Sequence, residues 1–135
     1  MKNLKWIITL AMILAVTVSL GLADAALAYE SRSNNEKSVR VDVSPVALSQ
    51  GQSVVFTVRL NTHSVPLEQD LAAVSELRDD QGRTYKALRW EGSPPGGHHR
   101  SGKLIFPELA GPVGALTLVI RDIGGIERTF EWQLK

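Results

Sequence analysis

The sequence predicts an all-β protein, an immunoglobulin-like antiparallel β-sandwich of about seven strands, and three observations lead there. Beyond Ser38 the apolar residues recur with period two, as in Val39, Val41 and Val43 set against Arg40, Asp42 and Ser44, the signature of strands buried on one face. Turn-forming residues interrupt these runs at short intervals, which is the spacing of a sandwich rather than of βαβ units. The chain has 135 residues and no cysteine, so it suits a single domain that must hold by packing alone.

Each element follows in order. Lys2 and Lys5 precede an uncharged, mostly apolar run from Trp6 to Ala23, and small residues close it at Ala26-Leu27-Ala28. That layout predicts a cleavable export signal over 1–28 and hence a periplasmic or extracellular protein. Contact with a membrane is then expected only through this segment, if it is left uncleaved. Residues 29–37 are polar and unpatterned, which predicts a flexible leader, and 38–135 is the expected sandwich domain. Its strands are predicted near 38–46, 52–61, 73–78, 84–90, 102–106, 115–122 and 126–134. Asp79-Asp80-Gln81-Gly82 and Gly124-Gly125 supply hairpin turns, since glycine accepts the positive φ such turns require. "PLEQDLAAV" is the one stretch with helical character. Phe130 and Trp132 alternate in phase with Leu134, so they are expected in the core.

Charge excludes one large class of partner. Without Lys2, Lys5 and Asp24 the basic and acidic residues balance, and no cluster of Lys and Arg suggests nucleic acid. No nucleophile-elbow, zinc-protease or phosphate-loop motif is present, and Asp79-Asp80 is expected at an open hairpin tip, a poor place to raise a carboxylate pKa. The chain is therefore read as no enzyme and as needing no cofactor.

The segments "LNTHS", "LRDDQGRTY" and "GGHHRSG" resemble those of small exported immunoglobulin-like β-sandwich modules of prokaryotes, an uncharacterised envelope-protein group. The resemblance covers nearly all of 38–135 and implies a fold but no activity, because such sandwiches host many functions. Function must come from a site. His63 follows one predicted strand and "PPGGHHRSG" precedes another, with Gly96-Gly97 allowing a backbone path that a Cβ would strain. His63, His98, His99 and Arg100 are thus the candidate ligand-binding residues of a non-catalytic module whose partner is an envelope protein or a glycan. The alternative is copper or zinc, with His63, His98, His99 and Asp70 as ligands and Glu68 or Glu91 close in sequence, since imidazole suits these metals. Adjacent residues of an extended backbone point to opposite sides, so one of His98 and His99 is expected to join His63.

Overall fold

The computed structural model describes residues 29–134, which form two antiparallel sheets and no helix. The strands are β1 (Arg32–Glu36), β2 (Val39–Ala47), β3 (Ser53–Thr62), β4 (Ser75–Asp79), β5 (Thr84–Lys86), β6 (Arg89–Gly92), β7 (His99–Glu108), β8 (Ala115–Ile123) and β9 (Ile126–Gln133). One sheet has the order β1-β2-β3-β7-β6 and the other β5-β4-β8-β9. The predicted export signal over 1–28 lies outside the described residues.

Period-two alternation turns the apolar side of each sheet toward the other. Val41, Val43, Phe56 and Val58 of the first sheet join Leu77, Leu118, Phe130 and Trp132 of the second in one buried cluster. Phe56 is the bridge: its ring centroid lies 5.2 Å from that of Trp132 and 6.0 Å, edge-on, from that of Phe106, separations at which aromatic pairs attract.

Three expectations change. Residues 32–36, expected within a flexible leader, form β1 and pair with β2 from Arg32 against Val43 to Glu36 against Val39. Arg128 fixes them there. It is 1% exposed, and its guanidinium donates to Asn34 Oδ1 at 2.7 Å and to the carbonyls of Val39, Glu36 and Ile123 at 2.9 to 3.0 Å. The predicted strand 84–90 is two strands in different sheets, because the chain crosses from β4 to β7 at Ala87-Leu88. The predicted strand 102–106 begins three residues earlier, so His99, Arg100 and Ser101 lie in β7 and not in a loop. Gly92 and Gly102 make this possible: they face each other across β6 and β7, and a Cβ on Gly102 would sit 2.8 Å from the Trp90 ring.

The helical character of "PLEQDLAAV" amounts to a single turn. Val74 N–H bonds the Asp70 carbonyl at 3.1 Å, while Asp70 Oδ1 accepts from the N–H groups of Ala72 and Ala73, which caps that turn. The two glycine turns stand where expected, with φ of 80° at Gly82 and 66° and 74° at Gly124 and Gly125.

Candidate functional site

Outward side chains of the larger sheet line up in rows. Asn35 pairs with Arg40, Arg40 with Asn61, and Asn61 with His99, so four polar planar groups stand side by side across four strands. At about 4.8 Å per strand the row is about 14 Å long. It ends in an open cleft of about 450 Å³ lined by Asn35, Ser38, Arg40, Asn61, Thr62, His63, Ser64 and His99.

Thr62 builds the rim. Its Oγ1 donates to the Ser38 carbonyl at 2.7 Å and accepts from the N–H groups of Ser64 at 3.3 Å and Val65 at 3.1 Å, a side-chain turn that bends the chain after β3. Thr62 N–H in turn bonds the His98 carbonyl at 3.0 Å. The strand exit carrying His63 is thereby fixed beside the strand entry carrying His99. Across the row, His99 Nδ1 lies 2.8 Å from Asn61 Oδ1. An amide oxygen only accepts, so in the neutral ring Nδ1 holds the proton and Nε2 the lone pair. Arg40 directs Nε to Asp42 at 3.0 Å, and its two terminal nitrogens form no hydrogen bond among the described residues.

The remaining candidates go elsewhere. His98 is exposed and does not line this cleft. Arg100 points inward and is 2% exposed; it donates to the carbonyls of Gln69 at 2.7 Å, Leu67 at 3.2 Å and Ser93 at 3.3 Å, and its Cζ lies 5.8 Å from the centre of the Trp90 ring. Burial lowers its pKa from the ordinary value, against a smaller upward pull from Asp70. Its donors hold the 65–70 segment and the loop before β7 to the domain, so it shapes the site from behind. In that loop Gly96 N–H bonds the Leu67 carbonyl at 2.8 Å, with φ of 112° at Gly96 and 73° at Gly97.

Asp70 borders a different cleft of about 540 Å³, together with Glu76, Tyr85, Lys86 and Arg121. Glu68 is exposed, and Glu91 accepts from Arg89 Nε at 2.7 Å. Among the described residues no three His, Cys, Asp or Glu side chains are grouped to hold a metal ion, so His63, His98, His99 and Asp70 are not assembled into one centre.

Asp79 departs most from its expected setting. Instead of standing open at a hairpin tip, its carboxylate is buried, receiving Arg83 Nε at 2.7 Å, Tyr85 Oη at 2.9 Å and the N–H groups of Gln81 and Arg83 at 2.9 Å each. Burial pushes its pKa up, and these donors together outweigh burial, leaving it at about 2. It is a structural anion.

Asn35, Arg40 and Asn61 are the site residues that sequence reasoning did not single out. The alternation marks Arg40 and Asn61 as outward, but the register that aligns them with His99 is a tertiary property. A comparison with known proteins finds no matching family model, no matching curated protein and no matching solved structure.

Proposed function

We propose that this chain is an exported, non-catalytic binding module of the cell envelope, immunoglobulin-like in architecture, which holds an envelope protein or glycan at the cleft between Asn35 and His99. The strand orders support the architecture: β2-β3-β7-β6 opposite β5-β4-β8-β9 follows the A-B-E-D and C′-C-F-G pattern of that fold, with β1 as an added outer strand. The observation that carries the binding reading is the cleft itself. Its polar groups come from four strands in register, and among the described residues neither the terminal nitrogens of Arg40 nor the His63 ring forms a hydrogen bond. Because His63 and His99 share this cleft, copper or zinc remains the second reading.

The test is co-sedimentation of the purified protein with isolated bacterial cell envelopes. The wild type is expected to pellet, and Asn61→Ala with His99→Ala, at unchanged melting temperature, to lose retention by about tenfold, the loss of one to two hydrogen bonds. Equal pelleting of the two, or none by either, overturns the reading. A melting temperature that rises with zinc or copper in the wild type but not in His63→Ala replaces it with the metal reading.

A further inference from the structure

We infer that the ligand is an acidic glycan, laid across the outer face of the five-stranded sheet with its carboxylates against Arg59 and Lys103. This inference rests on the binding-module reading and extends its site from the cleft to the sheet face. Next to the row that ends at His99 runs a second, in which Ser33 pairs with Asp42, Asp42 with Arg59 and Arg59 with Ser101. A third aligns Ser44, Thr57, Lys103 and Glu91.

The charges of this face do not cancel. Glu108 stands at the far end of β7 beside Ser53, and around the three rows Arg40, Arg59, Arg89 and Lys103 meet two acids, Asp42 and Glu91. Both acids are already engaged, Asp42 by Arg40 at 3.0 Å and Glu91 by Arg89 at 2.7 Å. Arg59 and Lys103 are exposed and form no ion pair among the described residues. The opposite sheet behaves differently: on its outer face Glu76 binds Arg78 and Arg121, and Arg121 also reaches Glu127. That face balances its charges, Glu76, Glu127 and Glu131 against Arg78, Lys86 and Arg121, whereas the other carries an excess of cations, Arg59 and Lys103 among them.

The class of anion follows from what surrounds those cations. Among the described residues no aromatic ring stands on this face, since Trp90 and Trp132 turn inward, so these rows offer a neutral sugar no ring to stack on. Val55 and Ile105 pair in the row beyond the third, and the exposed Val46 and Leu88 lie near it, so the apolar side chains gather to one side of Arg59 and Lys103, and the vesicle arm of the test below separates a lipid surface from a glycan. What the rows do offer is hydroxyls from Thr57 and Ser101, since Ser33 already bonds Asp42 and Ser44 bonds Ser31, and amide N–H groups from Asn35 and Asn61. These match a polymer that repeats hydroxyl and carboxylate groups, and guanidinium pairs with carboxylate in two-point geometry.

Polygalacturonate serves as the acidic glycan and dextran as the neutral control, with binding to the full-length protein measured by affinity electrophoresis at low and at physiological salt. Retardation by polygalacturonate and not by dextran is expected. Arg59→Gln with Lys103→Gln should weaken it by about tenfold and flatten its salt dependence, since two exposed charge contacts are removed. Arg78→Gln with Lys86→Gln, on the other sheet, should leave it unchanged. Arg59, Lys103 and Lys86 are exposed and Arg78 is half-buried beside Glu76, so the melting temperature of each double variant checks that folding is intact. Equal retardation by dextran, equal loss in both double variants, or stronger binding to phosphatidylglycerol vesicles than to polygalacturonate overturns the inference. If envelope co-sedimentation persists while polygalacturonate fails to bind, the acidic glycan is wrong and the binding module stands.

Discussion

Two arginines and an aspartate show how this domain accommodates charge inside. Arg100 and Arg128 are buried with no ion pair among the described residues, and carbonyl oxygens converging on each guanidinium accept from its terminal nitrogens. The planar fork suits that role, because its several donors reach different strands at once. Burial lowers the pKa of both from the ordinary value, Asp70 opposing it slightly at Arg100 and Glu36 at Arg128. Asp79 is the reverse case, an anion held by four donors with its pKa brought down to about 2. A carboxyl whose folded pKa lies below its unfolded value stabilises the fold above the unfolded value, and that contribution is lost as pH falls toward the folded one. The loss therefore belongs to the window from about pH 4 to pH 2, and it amounts to something on the order of 2 kcal/mol. In urea titrations Asp79→Asn should be less stable than the wild type at pH 7, with the gap narrowing through that window. A gap that is constant from pH 7 to pH 2 would show that the charge of Asp79 contributes nothing.

Among the elements, the β1–β2 hairpin is held in the least comfortable backbone. Lys37 and Ser38 both have positive φ, 51° and 62°, a conformation that costs residues with a Cβ about 1 kcal/mol or more each. Two-residue hairpins favour Asn-Gly there. Lys37→Asn with Ser38→Gly should accordingly raise the unfolding midpoint at an unchanged denaturant slope, by about 1 kcal/mol once the greater freedom of glycine in the unfolded chain is deducted. A lower midpoint would mean that the wild-type side chains offset the strain. This hairpin also shows where sequence reading runs out. "RSNNE" has no alternation because its inward residue Asn34 meets a buried guanidinium rather than the apolar core, so hydropathy finds nothing to register. The same holds for "HHRSG", whose inward member is Arg100. In "TYKALRW" the inward residues Tyr85 and Trp90 are five apart and so out of phase, and the slip falls at Ala87-Leu88, where the chain changes sheets; a short slip in a short run is easily read as one continuous strand. Where inward residues are mostly aliphatic or aromatic, as in β2, β3, β8 and, apart from Arg128, β9, strands and turns were legible to within a residue or two. Of the site, the positions of His63 and His99 at strand ends that border one cleft were legible, and the contribution of Arg40 and Asn61 was not.

For the molecule as a whole, stability without a disulfide depends on a few large side chains between the sheets. Phe56 has no exposed surface and touches aromatic rings of both layers. Phe56→Ala should cost about 3–5 kcal/mol, a large share of the roughly 5–15 kcal/mol of an ordinary domain. Val46→Ala, at a position 55% exposed, should change stability by less than about 0.5 kcal/mol. Comparable losses for the two in chemical denaturation would place the core elsewhere. The attachment of β1 has a consequence of another kind, a mechanical one. Trp132 Nε1 holds the Glu30 carbonyl at 2.7 Å, and Arg128 holds Asn34 and Glu36 further along. A pull on the N-terminal end of the described chain, in the direction that peels β1 from β2, meets these fasteners one after another. The Trp132 bond lies nearest the load, the ladder pairs from Arg32 onward come next, and the Arg128 clamp is last, beside the turn. Such a series yields in steps rather than all at once, so the end strand can lengthen under tension while the paired sheets behind it, and the face that carries Arg59 and Lys103, keep their shape.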